Sequence, residues 1–121
     1  MNKHGQTLVL FVLLIPLIII LMAIIVDIGV VTNKKIHIEQ ITRMVIKDLL
    51  KDKIDENEAK ELFLKNEVLI DNLEISQNNK KIEIKNKVSV NSIFGSIIGI
   101  KNYDIKVNIV GEYQNEKIIF E

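Results

Sequence analysis

The sequence predicts an α+β protein: a long amino-terminal apolar helix continues into an amphipathic helix, and a second short helix and a small antiparallel sheet of three or four strands follow. Three observations predict this class. No charged side chain occurs from Thr7 to Val26, apolar residues then recur every three or four positions up to Leu49, and apolar and polar residues alternate from Leu73 onward. The chain therefore divides into a leader (1–6), a transmembrane helix (7–31), an amphipathic extension (32–53) and a small α+β domain (54–121).

The composition argues against several functional classes. The 16 basic residues balance the 16 acidic ones, so nothing favours binding to nucleic acid. Cysteine is absent, which leaves no thiol chemistry and no disulfide framework. His4 and His37 have no second ligand at metal spacing, and no catalytic motif occurs. We expect neither an enzyme nor a cofactor-binding protein.

The uncharged run from residue 7 to 26 has the length of a membrane span. At about 1.5 Å per residue it forms a helix of about 30 Å, the thickness of the hydrocarbon core. It is longer than the apolar region of a signal peptide, and no A-x-A pattern follows it, so we expect it to be retained. Pro16 predicts a bend near Ile15. Asp27 is either an interfacial acid at the edge of the span or a polar contact for another membrane helix.

The charges flanking this run bear on its orientation. Lys3 precedes it, whereas Lys34, Lys35, Arg43 and Lys47 follow it. Taken alone, the positive-inside rule places the large part of the chain in the cytoplasm.

Beyond the apolar run, the helical pattern continues with one apolar face. This packing face consists of Ile38, Ile41, Val45 and Leu49. We expect it to cover either the sheet or a neighbouring subunit. Asp55 with Glu58 then forms the start signal of the second helix.

The remaining sequence indicates strands. Asn78 and Asn79 are turn residues between two alternating segments, and a further alternating segment runs from Tyr103 to Ile109. Residues 117–121 form a possible edge strand. The interrupting segment NSIFGSIIGIKN is too short to span a membrane, so we interpret its Gly95 and Gly99 as loop residues. This apolar loop, from Ile93 to Ile100, is either folded back on the sheet or exposed for a partner.

The segment HGQTLVLFVLLIPLIIILMAIIVDIG resembles the start of TadE-like and TadG-like proteins, minor pseudopilins of the Tad (Flp) pilus assembly system. In those proteins a short basic leader ends in glycine, and the apolar helix carries a proline and, near its end, an acid followed by glycine. Gly5, Pro16, Asp27 and Gly29 match in order and approximate spacing. KVSVNSIFGSIIGIKNYDIKVNIVGEYQ also resembles the family's carboxy-terminal sheet.

The resemblance implies a pilin-like fold in a bacterial cytoplasmic membrane, with a cytoplasmic leader and an exported domain. It makes Gly5 and Gln6 the junction for a prepilin peptidase, and it gives Pro16, Asp27 and Gly29 packing or kink roles in the membrane helix. The chain departs from many pilin-like proteins at Leu10, where they carry a glutamate.

Two hypotheses follow. In the first, the chain is a single-pass, pilin-like component of pilus assembly whose partners are membrane lipid and other pilin-like or Tad assembly proteins. In the second, it is a membrane-tethered binding or sensory module unrelated to pili, with a cytoplasmic domain and a ligand cleft in the sheet.

Overall fold

The computed structural model describes residues 3–78, 80–115 and 117–120. The predicted α+β class is confirmed: the elements are helices α1 (Lys3–Leu50) and α2 (Glu56–Lys65) and strands β1 (Glu74–Asn78), β2 (Lys81–Asn91), β3 (Asn102–Gln114) and β4 (Lys117–Phe120). A single 3-10 turn, Gly95–Ile98, lies between β2 and β3. The predicted turn residue Asn79 lies outside the described residues, as do the first two residues of the leader.

Helix α1 is one uninterrupted helix of 48 residues, about 72 Å long, with Pro16 inside it. The large apolar side chains from Leu8 to Val26 are more than a third exposed, apart from Ile24, which is half-buried. By length and composition this part of α1 can cross a membrane. We call residues 7–26 the apolar segment. The bend expected at Pro16 stays a prediction.

The carboxy-terminal part of α1 packs on the sheet and supplies the centre of the core. On the predicted packing face Ile38, Val45 and Leu49 are buried, while Ile41 is partly buried against the same core. Thr42 lies among them and is also buried. Its hydroxyl donates to the Ile38 carbonyl at 2.6 Å, so the burial leaves no unpaired donor.

Gly111 on β3 allows α1 to approach the sheet closely. A Cβ at this position would overlap Cγ2 of Ile46, which is fully buried. The absence of a side chain at Gly111 therefore sets the distance between helix and strand.

Helix α2 closes one side of the core. The Asp55 carboxylate accepts from the Glu58 N–H at 2.8 Å, as expected for an N-cap. Ala59 and Phe63 are fully buried. At the other end of α2, the exposed His37 ring donates from Nε2 to the Asn66 carbonyl at 2.9 Å, which ties α2 to α1.

The four strands form an antiparallel meander in the order β1-β2-β3-β4. The central pair aligns Ile84 with Ile109 and Val88 with Ile105, so that these side chains share the face that packs on α1. Asn86 is the polar exception on this face. Its amide donates to the Leu69 carbonyl at 3.0 Å and fixes the segment that leads from α2 into the sheet.

Candidate functional site

The most unusual polar contact in the described structure joins α1 to the loop between β2 and β3, which we call the tip loop (residues 92–101). Asp27, at the end of the apolar segment, is only 1% exposed. A buried carboxylate is costly unless donors surround it. The tip loop and the start of β3 supply those donors, from 66 to 76 positions further along the chain.

Three successive backbone N–H groups point at the carboxylate. Ile93 N–H donates to Oδ1 at 3.1 Å, and Phe94 N–H is shared between Oδ1 at 3.0 Å and Oδ2 at 3.2 Å. Gly95 N–H donates to Oδ2 at 2.6 Å. The Tyr103 hydroxyl adds a fourth donor to Oδ2, at 3.1 Å. Because an ionised carboxylate only accepts, these four donors match the charged form of Asp27.

Internal hydrogen bonds hold the tip loop in this shape. The Ser92 hydroxyl donates to the Ile100 carbonyl at 2.6 Å, and the Ile100 N–H donates to the Gly95 carbonyl at 2.9 Å. Gly99 ends the 3-10 turn with φ at +90°, a conformation that suits glycine. The loop is thus already folded into the form that presents its N–H groups to Asp27.

Position 95 requires glycine because its backbone N–H lies so close to the Asp27 carboxylate. A Cβ on this residue would lie 2.7 Å from Oη of Tyr103, 3.0 Å from Oδ2 of Asp27 and 3.2 Å from Cβ of Ile100. Only a residue without a side chain lets the backbone N–H reach the carboxylate at this distance.

Tyr103 closes the side of the contact nearest the sheet. It is the second residue of β3 and is half-buried. Burial, the hydrogen bond to Asp27 and the negative charge of that residue all raise the pKa of the Tyr103 phenol above its usual 10.0. The phenol therefore remains a donor across the physiological range. The Asp27 carboxylate accepts hydrogen bonds from all four donors. It is therefore suited to holding the tip loop in place and not to acting as a general acid or base.

An apolar groove of about 360 Å³ lies beside this contact. One wall belongs to α1 and the other to the tip loop, and the lining residues are Ile19, Ile20, Met22, Ala23, Ile24, Val26, Phe94, Ile97 and Ile98. The tip loop therefore extends from Asp27 back along the apolar segment.

The other predicted site residues are spread along α1 and do not converge. Gly5 and Gln6 lie in its first turns, and Leu10 is 56% exposed further along. Pro16 lies within the apolar segment. Gly29 is exposed, and a Cβ there would meet nothing within 4 Å, so its lack of a side chain serves no packing within this chain.

Sequence reasoning gave Asp27 a role in packing but did not identify its donors. The signal was present in two parts: an acid at the end of an apolar helix requires a partner, and the loop from Ser92 to Ile100 has no charged side chain to provide one. Three of the four donors are backbone N–H groups, whose direction only the fold reveals. The apolar loop was expected either to fold back on the sheet or to be exposed for a partner. Its backbone instead folds onto α1 at Asp27, its large apolar side chains are exposed, and a partner stays a prediction.

Within the described residues, no group of three or more histidine, aspartate and glutamate side chains is placed to hold a metal ion. His37 is engaged with the end of α2, as described above, and His4 lies in the first turn of α1. The polar contact at Asp27 is accordingly the feature that the remaining inferences depend on.

These features define a class of protein: a small α+β domain whose core helix extends into a segment long and apolar enough to cross a membrane. No protein-family model matches the chain, and neither a curated protein nor a solved structure matches it. Any assignment beyond this class depends on the residues and geometry of the chain itself.

Proposed function

We propose that the chain is a structural or assembly component of a Tad (Flp)-type pilus or a related secretion system. In this proposal it is a single-pass, minor pilin-like protein of a bacterial cytoplasmic membrane. The leader is cytoplasmic and the α+β domain is extracytoplasmic. It acts by packing its helix against neighbouring subunits, without catalysis or a cofactor.

The observation that supports this proposal best is the continuity of α1. The same helix exposes an apolar segment at one end and forms the core of the domain at the other. No linker separates the two parts, since the helix runs unbroken from Lys3 to Leu50. A flexible tether would be enough for a module that only needs membrane attachment, whereas a continuous helix fixes the domain relative to its neighbours in an assembly.

Gly29 offers a place for such a neighbour. It is exposed and unobstructed two residues beyond Asp27, and small residues let membrane helices approach closely. The apolar side chain of Leu10 cannot supply the carboxylate that many pilin-like proteins have at this position. Lateral contacts of this helix would therefore come from apolar packing and from small residues such as Gly29.

The absence of cysteine permits a direct test of orientation. Ser89 is exposed on β2, on the face turned away from α1, so Ser89→Cys introduces a single accessible thiol. A membrane-impermeant maleimide added to intact cells of the native host, after the outer layers are made permeable, should label this thiol. Labelling only after the cytoplasmic membrane is opened would contradict the proposal and favour the tethered cytoplasmic module.

Single cysteines also test lateral packing. Ile28→Cys places a thiol on the exposed helix surface next to Gly29, and Ser89→Cys serves as the control on the sheet. Oxidative or bifunctional cross-linking in native membranes, followed by mass spectrometry, should join the Ile28 variant to pilin-like or Tad assembly proteins. Cross-links to unrelated proteins, equal for both variants, would contradict the assembly role.

Processing is tested separately. Mass spectrometry of the mature membrane protein should show a chain that begins at Gln6 if a prepilin peptidase cuts after Gly5. An intact Met1 would contradict processing while leaving the packing role to the cross-linking experiment.

A further inference from the structure

The tip loop exposes a cluster of large apolar side chains. Ile97 is 74% exposed, and four others are between 39% and 53% exposed: Ile93, Phe94, Ile98 and Ile100. No charged residue interrupts the stretch from Ser92 to Ile100. A contiguous apolar patch of this kind on a small domain marks a surface that is covered in the working protein.

The position of the loop along α1 indicates what covers it. The groove that it forms reaches Ile19, which precedes Asp27 by eight residues or about 12 Å of helix. All the helix residues that line the groove belong to the apolar segment. If that segment occupies the hydrocarbon core, the side chains of Phe94, Ile97 and Ile98 lie at the same depth as the last turns of the span.

We propose that the tip loop enters the membrane leaflet next to α1 and that lipid acyl chains fill the groove between them. The surface of the groove is continuous with the exposed apolar surface of residues 7–26, which lipid surrounds in a spanning helix. The proposal requires α1 to span a bilayer and is independent of a role in pili.

The hydrogen bonds at Asp27 make this insertion possible. Irregular backbone is excluded from hydrocarbon unless its N–H groups have partners. Asp27 pairs the N–H groups of residues 93–95, and Ile97, Gly99 and Ile100 donate to carbonyls within the loop. The loop thus presents apolar side chains outward with these donors already satisfied. Lys101, at the loop's exit, is exposed and suited to the head-group region.

The absence of tryptophan allows a direct measurement of depth. Ile97→Trp provides a single fluorescent probe at a mostly exposed side chain, so the substitution requires little repacking. Ser89→Trp is the control on the exposed face of β2, and Leu14→Trp is the control within the apolar segment. Each full-length variant is reconstituted at low density into phosphatidylcholine vesicles. Quenching is measured with aqueous iodide and with lipids carrying a nitroxide near the head group or near the chain end.

We expect the Ile97 probe to emit at shorter wavelength than the Ser89 probe, to lose iodide quenching and to be quenched by the nitroxide near the head group. The Leu14 probe should respond to the nitroxide near the chain end. If iodide quenches the Ile97 probe as strongly as it quenches the Ser89 probe, the tip loop is in water and the proposed insertion is wrong. A blue-shifted Ile97 probe that no lipid nitroxide quenches identifies protein as the occupant and also overturns it.

The Leu14 control separates two kinds of failure. If its probe reports lipid while the Ile97 probe reports water, only the insertion of the loop is wrong. If the Leu14 probe also reports water, α1 does not span the bilayer, and both the insertion and the proposed membrane-embedded packing role are wrong.

Discussion

Replacing Gly95 with alanine tests the close approach between the tip loop and Asp27. The added methyl group would lie 2.7 Å from the Tyr103 hydroxyl oxygen and 3.0 Å from the carboxylate that the residue's own N–H reaches at 2.6 Å. Both distances are too short for carbon, so the loop must withdraw. Withdrawal weakens the shortest hydrogen bond of the contact and displaces the Tyr103 hydroxyl as well.

The expected cost has two parts. Overpacking of this kind costs about 1–3 kcal/mol. Loss of one hydrogen bond to a charged group costs about 1.5–3 kcal/mol. The free energy that holds the loop on α1 should therefore fall by about 2.5–6 kcal/mol. Gly99→Ala is a matched control in the same loop, because its Cβ would meet nothing within 4 Å and only its φ of +90° is unfavourable, at about 1–2 kcal/mol.

Hydrogen exchange of the amides of residues 93–95, in full-length protein in nanodiscs, measures this free energy as loop opening. Since about 1.4 kcal/mol corresponds to tenfold, Gly95→Ala should accelerate exchange by at least about fiftyfold and Gly99→Ala by about five- to thirtyfold. Amides at the centre of β3 should be unaffected in both. Equal acceleration by the two variants would refute the close-contact reasoning, because backbone strain alone would then explain the effect.

Three further perturbations test other contacts. The pKa of Tyr103 is raised in the folded protein above its value of about 10 in the unfolded chain. Tyr103 should therefore stabilise the fold at every pH below about 10, and this stabilisation should be lost as the pH rises through the folded pKa. Ultraviolet titration of a Tyr113→Phe protein, with Tyr103 as its single tyrosine, should show this pKa, and adding Asp27→Asn should lower it. Gly111→Ala forces a methyl group into α1 and should destabilise the detergent-solubilised protein by about 1–3 kcal/mol in urea unfolding. Gly29→Ala should leave that stability unchanged or raise it by about 0.5–1 kcal/mol, and a decrease would contradict its exposed position.

The elements of the fold were largely predictable because each depends on local pattern. The spacing of Ile38, Val45 and Leu49 specifies a helix face, and all three are buried. Asp55 is the N-cap of α2 because its carboxylate satisfies an N–H three residues on. The alternation of apolar and polar residues likewise predicted the strands. In β2 every second residue faces the core, and the polar residue Asn86 is buried there because it occupies one of these positions.

The contacts at the candidate site were not predictable because they join residues far apart in the chain. Nothing local to Asp27 indicates that its partners are the N–H groups of residues 93–95, since backbone donors have no residue signature. Nothing in the sequence around Gly95 or Gly111 indicates why glycine is needed there. Gly95 leaves room for the Asp27 carboxylate, and Gly111 leaves room for the Ile46 side chain. Sequence pattern identifies faces and turns, whereas these functions of glycine depend on how the sheet is placed against α1.

The unbroken course of α1, combined with its attachment to the tip loop, has a mechanical consequence. With no flexible joint between Val26 and Ile38, a rotation of the domain about the helix axis turns the apolar segment through the same angle. If the apolar segment spans a bilayer as proposed, docking of the domain outside that bilayer would therefore select which side of the helix faces a neighbour inside it. Torque applied to the sheet would be transmitted along α1 to the apolar segment.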